Sequence, residues 1–118
     1  MKLISGSLFL VCLLACGAAQ AHAHLLTSTP AEGSTLASPP AALVLTFSES
    51  ARVTVAAVRK GKEAKQVLHG LPTNAAVTVS IPLPVLSVGA YTATWRVVGT
   101  DGHVMSGQLH FSIVAATH

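Results

Sequence analysis

The sequence predicts an all-β domain, a small Greek-key β-barrel or sandwich of about seven strands. Three observations carry that prediction. Apolar residues recur at every second position through most of the chain after residue 22. Turn-forming residues interrupt these runs at short intervals. Past the first 21 residues, no segment sustains an apolar pattern of helical period between recognisable caps.

Leu43, Leu45 and Phe47 alternate with Val44 and Thr46, and Val53, Val55 and Ala57 alternate with Thr54 and Ala56. Val77, Val79 and Ile81 form a third run, and Tyr91, Ala93, Trp95 and Val97 a fourth. Leu109, Phe111 and Ile113 form the last, with His110 on the opposite side. Each reads as a strand that buries one face, because successive side chains of a strand point to opposite sides. Residues 25–28 and 65–68 are weaker candidates. Pro30-Ala31-Glu32-Gly33-Ser34, Ser38-Pro39-Pro40, Gly70-Leu71-Pro72-Thr73-Asn74, Pro82-Leu83-Pro84 and Ser87-Val88-Gly89 supply the turns. There is no repeat, low-complexity tract or linker, so the runs belong to one domain.

The chain opens as a secretory leader does. Lys2 gives a short positive region, and Leu8-Phe9-Leu10-Val11-Cys12-Leu13-Leu14-Ala15 gives an apolar stretch. A membrane span needs about 20 apolar residues, so this run is too short. Ala19-Gln20-Ala21 is a small-residue cleavage site, which assigns residues 1–21 to a signal peptide and 22–118 to the mature domain. Two other processing events remain open. Leu13-Leu14-Ala15-Cys16 is a rival lipidation signal, and cleavage after Ala23 would make His24 the first residue. A cleaved signal of this kind implies export from the cytoplasm.

Removing 21 of the 118 residues leaves 97, enough for one core without covalent staples. Cys12 and Cys16 both fall in the leader, so the mature domain has neither a disulfide nor a thiolate metal site. Without Lys2, six Lys and Arg residues face four Asp and Glu. That balance does not indicate nucleic acid. Arg59-Lys60-Gly61-Lys62 reads as a solvated hairpin tip.

Six histidines stand out in a chain with 9% charged residues. His118 is terminal, His110 is an outward strand residue, and His69 precedes Gly70 at a turn. His24 depends on where the mature chain begins. His22, as a first residue, would offer both an α-amine and an imidazole to one metal ion. His103 belongs to Thr100-Asp101-Gly102-His103, between the Trp95 and Leu109 runs. In extended geometry Asp101 and His103 face the same side. By itself, D-x-H is more often a turn aspartate bonded to its own backbone beside an exposed histidine.

Four stretches together resemble the CopC family of periplasmic copper-binding proteins. They are His22-Ala23-His24-Leu25, Ser28-Thr29-Pro30-Ala31-Glu32-Gly33, Phe47-Ser48-Glu49, and Trp95-Arg96-Val97-Val98 continuing through Asp101-Gly102-His103 to Gly107 and Phe111. The resemblance runs through the mature chain in order. It implies a small Greek-key barrel of cupredoxin- or immunoglobulin-like kind, and one Cu(II) per monomer held by His22, Asp101 and His103. It also implies that Glu49 is near the site. The interval from His22 to Pro30 matches the family's spacing, which favours cleavage after Ala21. Where the family has a methionine-rich loop for Cu(I), residues 59–68 contain no methionine, and Met105 is the only one after the leader. Cu(I) prefers thioether sulfur, so the chain resembles the Cu(II)-only variety. The implied partner is an inner-membrane CopD-type protein.

The chemistry of the donors agrees. Three nitrogens and a carboxylate oxygen suit tetragonal Cu(II), whereas zinc would take the same atoms in a tetrahedron. His22-Ala23-His24 also has an internal competitor site, since a free amine with histidine third chelates Cu(II) through backbone amides and the His24 ring. The folded site is favoured because it explains the Asp101–His103 loop as well. The expected function is therefore a copper carrier or buffer in homeostasis and resistance. Two other classes fit less well. Oxidative polysaccharide-cleaving copper enzymes also begin with histidine, but Asp101 would occupy the position oxygen chemistry needs, and Tyr91 and Trp95 alternate inward. A secreted accessory β-sandwich with incidental histidines would leave the four joined stretches unexplained. No enzymatic activity is expected.

Overall fold

The computed structural model describes residues 24–116. It contains seven strands and, among the described residues, no helix: β1 (Leu25–Thr29), β2 (Ser34–Leu36), β3 (Ala42–Lys60), β4 (Gln66–Val67), β5 (Ala76–Pro82), β6 (Gly89–Gly99) and β7 (Val104–Ile113). The hydrogen-bonded path runs β1-β3-β6-β7-β2, with β4 and β5 also paired to β3.

The long strand β3 organises the molecule. Its first half lies between antiparallel β1 and β5, and its second half between antiparallel β6 and β4. The two halves face one another across a single core. Leu43, Leu45 and Phe47 from the first half join Val79 and Ile81 of β5, and they meet Val53, Tyr91, Trp95, Val97, Leu109 and Phe111. All are nearly fully buried. Burying a side chain of this size contributes roughly 1.5–3 kcal/mol over leaving it exposed. The Tyr91 and Phe111 rings stack with centroids 5.5 Å apart.

The alternation in β6 and β7 places side chains as expected: Tyr91, Ala93, Trp95, Val97, Leu109, Phe111 and Ile113 all point inward. Trp95 depends on a neighbour that has no side chain. A Cβ on Gly107, its cross-strand partner, would lie 2.6 Å from the indole ring.

Four expectations are corrected. The runs around Leu45 and Val53 are not separate strands but one continuous strand, β3. A break in register between Val53 and Val55 then reverses the facing of the residues beyond it. Val53, Ala56 and Val58 are inward, while Val55 is 41% exposed. A β-bulge does this by inserting one residue against the partner strand. Val77 is likewise exposed, at the start of β5 rather than in its buried part. Finally, the turn-rich stretch after Pro30 contains β2, which pairs in parallel with β7. The total of seven strands holds, but by a different division.

Candidate metal centre

The loop between β6 and β7 is built by its own hydrogen bonds. The Gly102 N–H donates to the Gly99 carbonyl at 3.0 Å, and the Gly99 N–H donates to the His103 carbonyl at 2.9 Å. Gly102 sits at φ +86°, a left-handed conformation that glycine adopts without strain. Asp101 closes the turn: its Oδ1 accepts from the His103 backbone N–H at 3.0 Å.

That turn brings the two functional groups together. Asp101 Oδ2 lies 2.8 Å from His103 Nδ1. The expected cause, extended geometry, is not the one observed. The loop is a tight turn in which one carboxylate oxygen holds the backbone and the other meets the ring. The expected turn aspartate is present, and its second oxygen meets the ring of the other candidate ligand. His103 is largely exposed and Asp101 only partly so, which leaves the ring accessible to an incoming ion.

The 2.8 Å separation admits two kinds of chemistry. With a proton on Nδ1, the ring donates to Oδ2 and turns its Nε2 lone pair outward, the usual way a carboxylate orients a ligating histidine. Without that proton, Nδ1 and Oδ2 are two donor atoms 2.8 Å apart, and ligands at about 2.0 Å from a metal and at right angles have that same separation.

A second fixed point lies at the start of the described chain. The His24 N–H donates to Ser48 Oγ at 2.8 Å, and the Ser48 N–H donates to the His24 carbonyl at 2.8 Å. Just beyond, Leu25 pairs with Phe47. Three residues after Ser48, Ala51 pairs with Gly99, the residue that closes the Asp101–His103 loop. The β1 entry and the loop therefore share one end of the sheet.

Glu49, also expected near the site, comes directly after Ser48 in β3 and is half-buried. Among the described residues, no three His, Cys, Asp or Glu side chains converge, so neither Glu49 nor His24 joins Asp101 and His103 in a group of three. His22 lies outside the described residues, as do His118 and the expected signal peptide with its candidate cleavage and lipidation signals. His69 is an exposed residue beside Gly70. His110 is an exposed β7 residue, as expected, but it has a partner the sequence did not reveal. Glu32 accepts from its backbone N–H at 2.9 Å and approaches its Nδ1 at 3.2 Å. The backbone N–H of His110 holds the Glu32 carboxyl below its ordinary value, with its ring adding to the effect and partial desolvation opposing it.

Known proteins share this architecture. The family model described as the CopC domain matches residues 25–114. Copper resistance protein C of Pseudomonas syringae pv. tomato is 34% identical over 123 aligned positions, covering 91% of this chain and 92% of that protein. The crystal structure of CopC from Methylosinus trichosporium OB3b superposes with a TM-score of 0.68 at 20% identity, covering 82% of this chain and 98% of that one. PcoC, a methionine-rich copper resistance protein from Escherichia coli, gives a TM-score of 0.56 at 25% identity, covering 80% and 100%. At such identities the structures attest the fold, and the family match extends over nearly all the described strands. This chain is a member of the CopC family of copper resistance proteins.

Proposed function

We propose that this protein, trimmed after Ala21 on export to the periplasm, binds one Cu(II) per monomer and carries or buffers it without catalysing a reaction. The observation that supports this most directly is the Asp101–His103 pair, already spaced as adjacent metal ligands at the end of the sheet where β1 begins. His22 is two residues ahead of the anchored His24, and two residues of chain reach at most about 7 Å. Its amine and imidazole would complete a set of three nitrogens and one oxygen. Glu49 would sit near this set, and His24 would assist in capturing the ion.

Copper bound in this way must displace protons. An α-amine ordinarily titrates near ~8 and a histidine near ~6.5, so affinity falls steeply as the solution is acidified. Any residue left ahead of His22 converts the amine into a planar amide and removes a ligand. The carrier role calls for a receiver, and a CopD-type inner-membrane protein is the proposed one.

The test combines two measurements on exported protein. Mass spectrometry of its first residue distinguishes cleavage after Ala21 from cleavage after Ala23 or lipidation at Cys16. Copper titration against a competing chelator then compares protein beginning at His22 with protein carrying one extra leading residue. One tightly held Cu(II) with a nitrogen-rich tetragonal paramagnetic resonance spectrum is expected, weakened at least tenfold by the extra residue. Correctly trimmed protein that releases copper to a modest competitor overturns the reading.

A further inference from the structure

We propose that the outer face of the layer formed by β4, β3, β6 and β7 is a docking trough for an extended, acidic segment of a partner protein. Its purpose rests on the carrier reading above, since the partner would give or take copper, but its chemistry stands on the trough alone.

The strand register puts three arginines on one face, while Lys60 is on the Tyr91 side and donates to Ser87 Oγ. Tyr91, Ala93, Trp95 and Val97 point into the core, so Thr92, Thr94, Arg96 and Val98 point away from it. Arg59 pairs with Thr92 and Arg52 with Val98, which places both arginines on the same outer face as Arg96. The bulge after Val53 matters here, because it turns Val55 outward beside Arg96. Lys65, leading into β4, leans over the same surface. Among the described residues, none of these four cations is ion-paired with a carboxylate. Glu32 reaches the flank of this face and is engaged there by His110.

Between the cations the surface is concave and apolar. A groove of about 510 Å³ is floored by Val55, Ala57 and Val67, and Val55 and Val67 are 41% and 55% exposed. An adjoining groove of about 330 Å³ reaches Arg59, and Lys65 and Thr94 line both, so the two are one trough. From Thr92 to Arg96 it runs along five residues of β6, four steps of the strand or about 13 Å. An extended chain that alternates apolar and acidic side chains matches it: one side chain set enters the trough while the other meets the rim. The Arg59 guanidinium is pre-positioned for that contact, since its Nε donates to the Glu63 carbonyl at 2.7 Å.

The trough also leads toward the copper loop. Val98 and its partner Val104 continue the face beyond Arg96, and Val104 directly follows His103. An occupant lying along the strands would therefore end beside Asp101 and His103. An anionic bilayer is the less suitable occupant. Membrane surfaces are engaged by protruding basic clusters with interfacial aromatic anchors. Here the cations rim a hollow, and the exposed large apolar residues of the described chain are valines and leucines.

The experiment uses copper-free exported protein and a short fluorescein-labelled peptide of alternating Glu and Val, read by fluorescence anisotropy. Saturable binding that weakens with added salt is expected, with amide shifts at Val67, Thr94 and Gln108 in nuclear magnetic resonance spectra. The double variant Arg59→Glu/Arg96→Glu should lose at least tenfold in peptide affinity while binding copper as before. Arg59→Ala/Arg96→Ala provides a milder pair should the charge reversal disturb folding. A peptide that does not bind, or binds wild type and both variants equally, overturns the proposal. So does cosedimentation with phosphatidylglycerol vesicles that the peptide fails to displace. Because the peptide assay contains no copper, its failure is distinguishable from failure of the copper site.

Discussion

Glu32 holds His110 by its backbone N–H and faces the same residue's Nδ1, the two-point grip that Asp101 also has on His103. The two pairs differ in what they join. Asp101 acts across two residues and shapes a loop, whereas Glu32 acts across 78 and ties the turn before β2 to the middle of β7.

The Glu32 grip makes stability depend on acid. Hydrogen bonding by His110 lowers the Glu32 carboxyl from its ordinary value. A group lowered in the folded state adds stability above its unfolded value and loses it as pH falls through the folded value. Glu32→Gln should therefore flatten the acid limb of stability against pH, measured by urea unfolding from neutral pH downward. An unchanged acid limb would show that the exposed pair contributes nothing measurable.

The two grips also allow a controlled comparison of copper binding. Asp101→Ala and His103→Ala should each lower Cu(II) affinity by well over tenfold, since even partners that only orient a ligand are worth roughly 10–100-fold. His110→Ala removes a similarly exposed, carboxylate-paired imidazole and should leave affinity unchanged. Chelator competition on all three variants decides the matter. Equal losses would count against the assignment.

Ser48 anchors the chain just ahead of β1 through its hydroxyl as well as its backbone. Ser48→Ala removes the acceptor for the His24 N–H, a contribution of about 0.5–1.5 kcal/mol. Copper affinity should drop several-fold while the resonance spectrum of the bound ion keeps its shape. A full-strength site in this variant would mean that the anchor does not position the leading residues.

Gly107 and Trp95 form a packing pair. Gly107→Ala places a Cβ against the indole ring, and overpacking of this kind costs about 1–3 kcal/mol. Trp95→Ala leaves a cavity instead and should cost about 3–5 kcal/mol. Both losses should appear as lower melting temperatures with copper stoichiometry intact in the folded protein. Stability retained in Gly107→Ala would mean that the ring swings aside freely.

Much of the fold is legible in the sequence because it is local. Strands β6 and β7 declare themselves by strict alternation, and Asp101 and His103 are close enough in sequence to be suspected as a pair. The features that escape such reading are non-local or depend on register. The three residues of β2 carry no alternation of their own and become a strand only through β7. Nothing in Thr54 announces that the register shifts beside it and turns Val55 outward. The polar Ser48-Glu49-Ser50 looks like an interruption, although the backbone runs through it as one strand. Glu32 and His110 meet only because the turn before β2 folds over β7.

The continuity of β3 bears on how the two halves of the core can move. A strand common to both halves of the core acts as a rigid spine, so neither half can slide or gape without tearing its own backbone ladder. Copper bound as proposed would then meet only the short loop between β6 and β7, at one end of an undivided chassis.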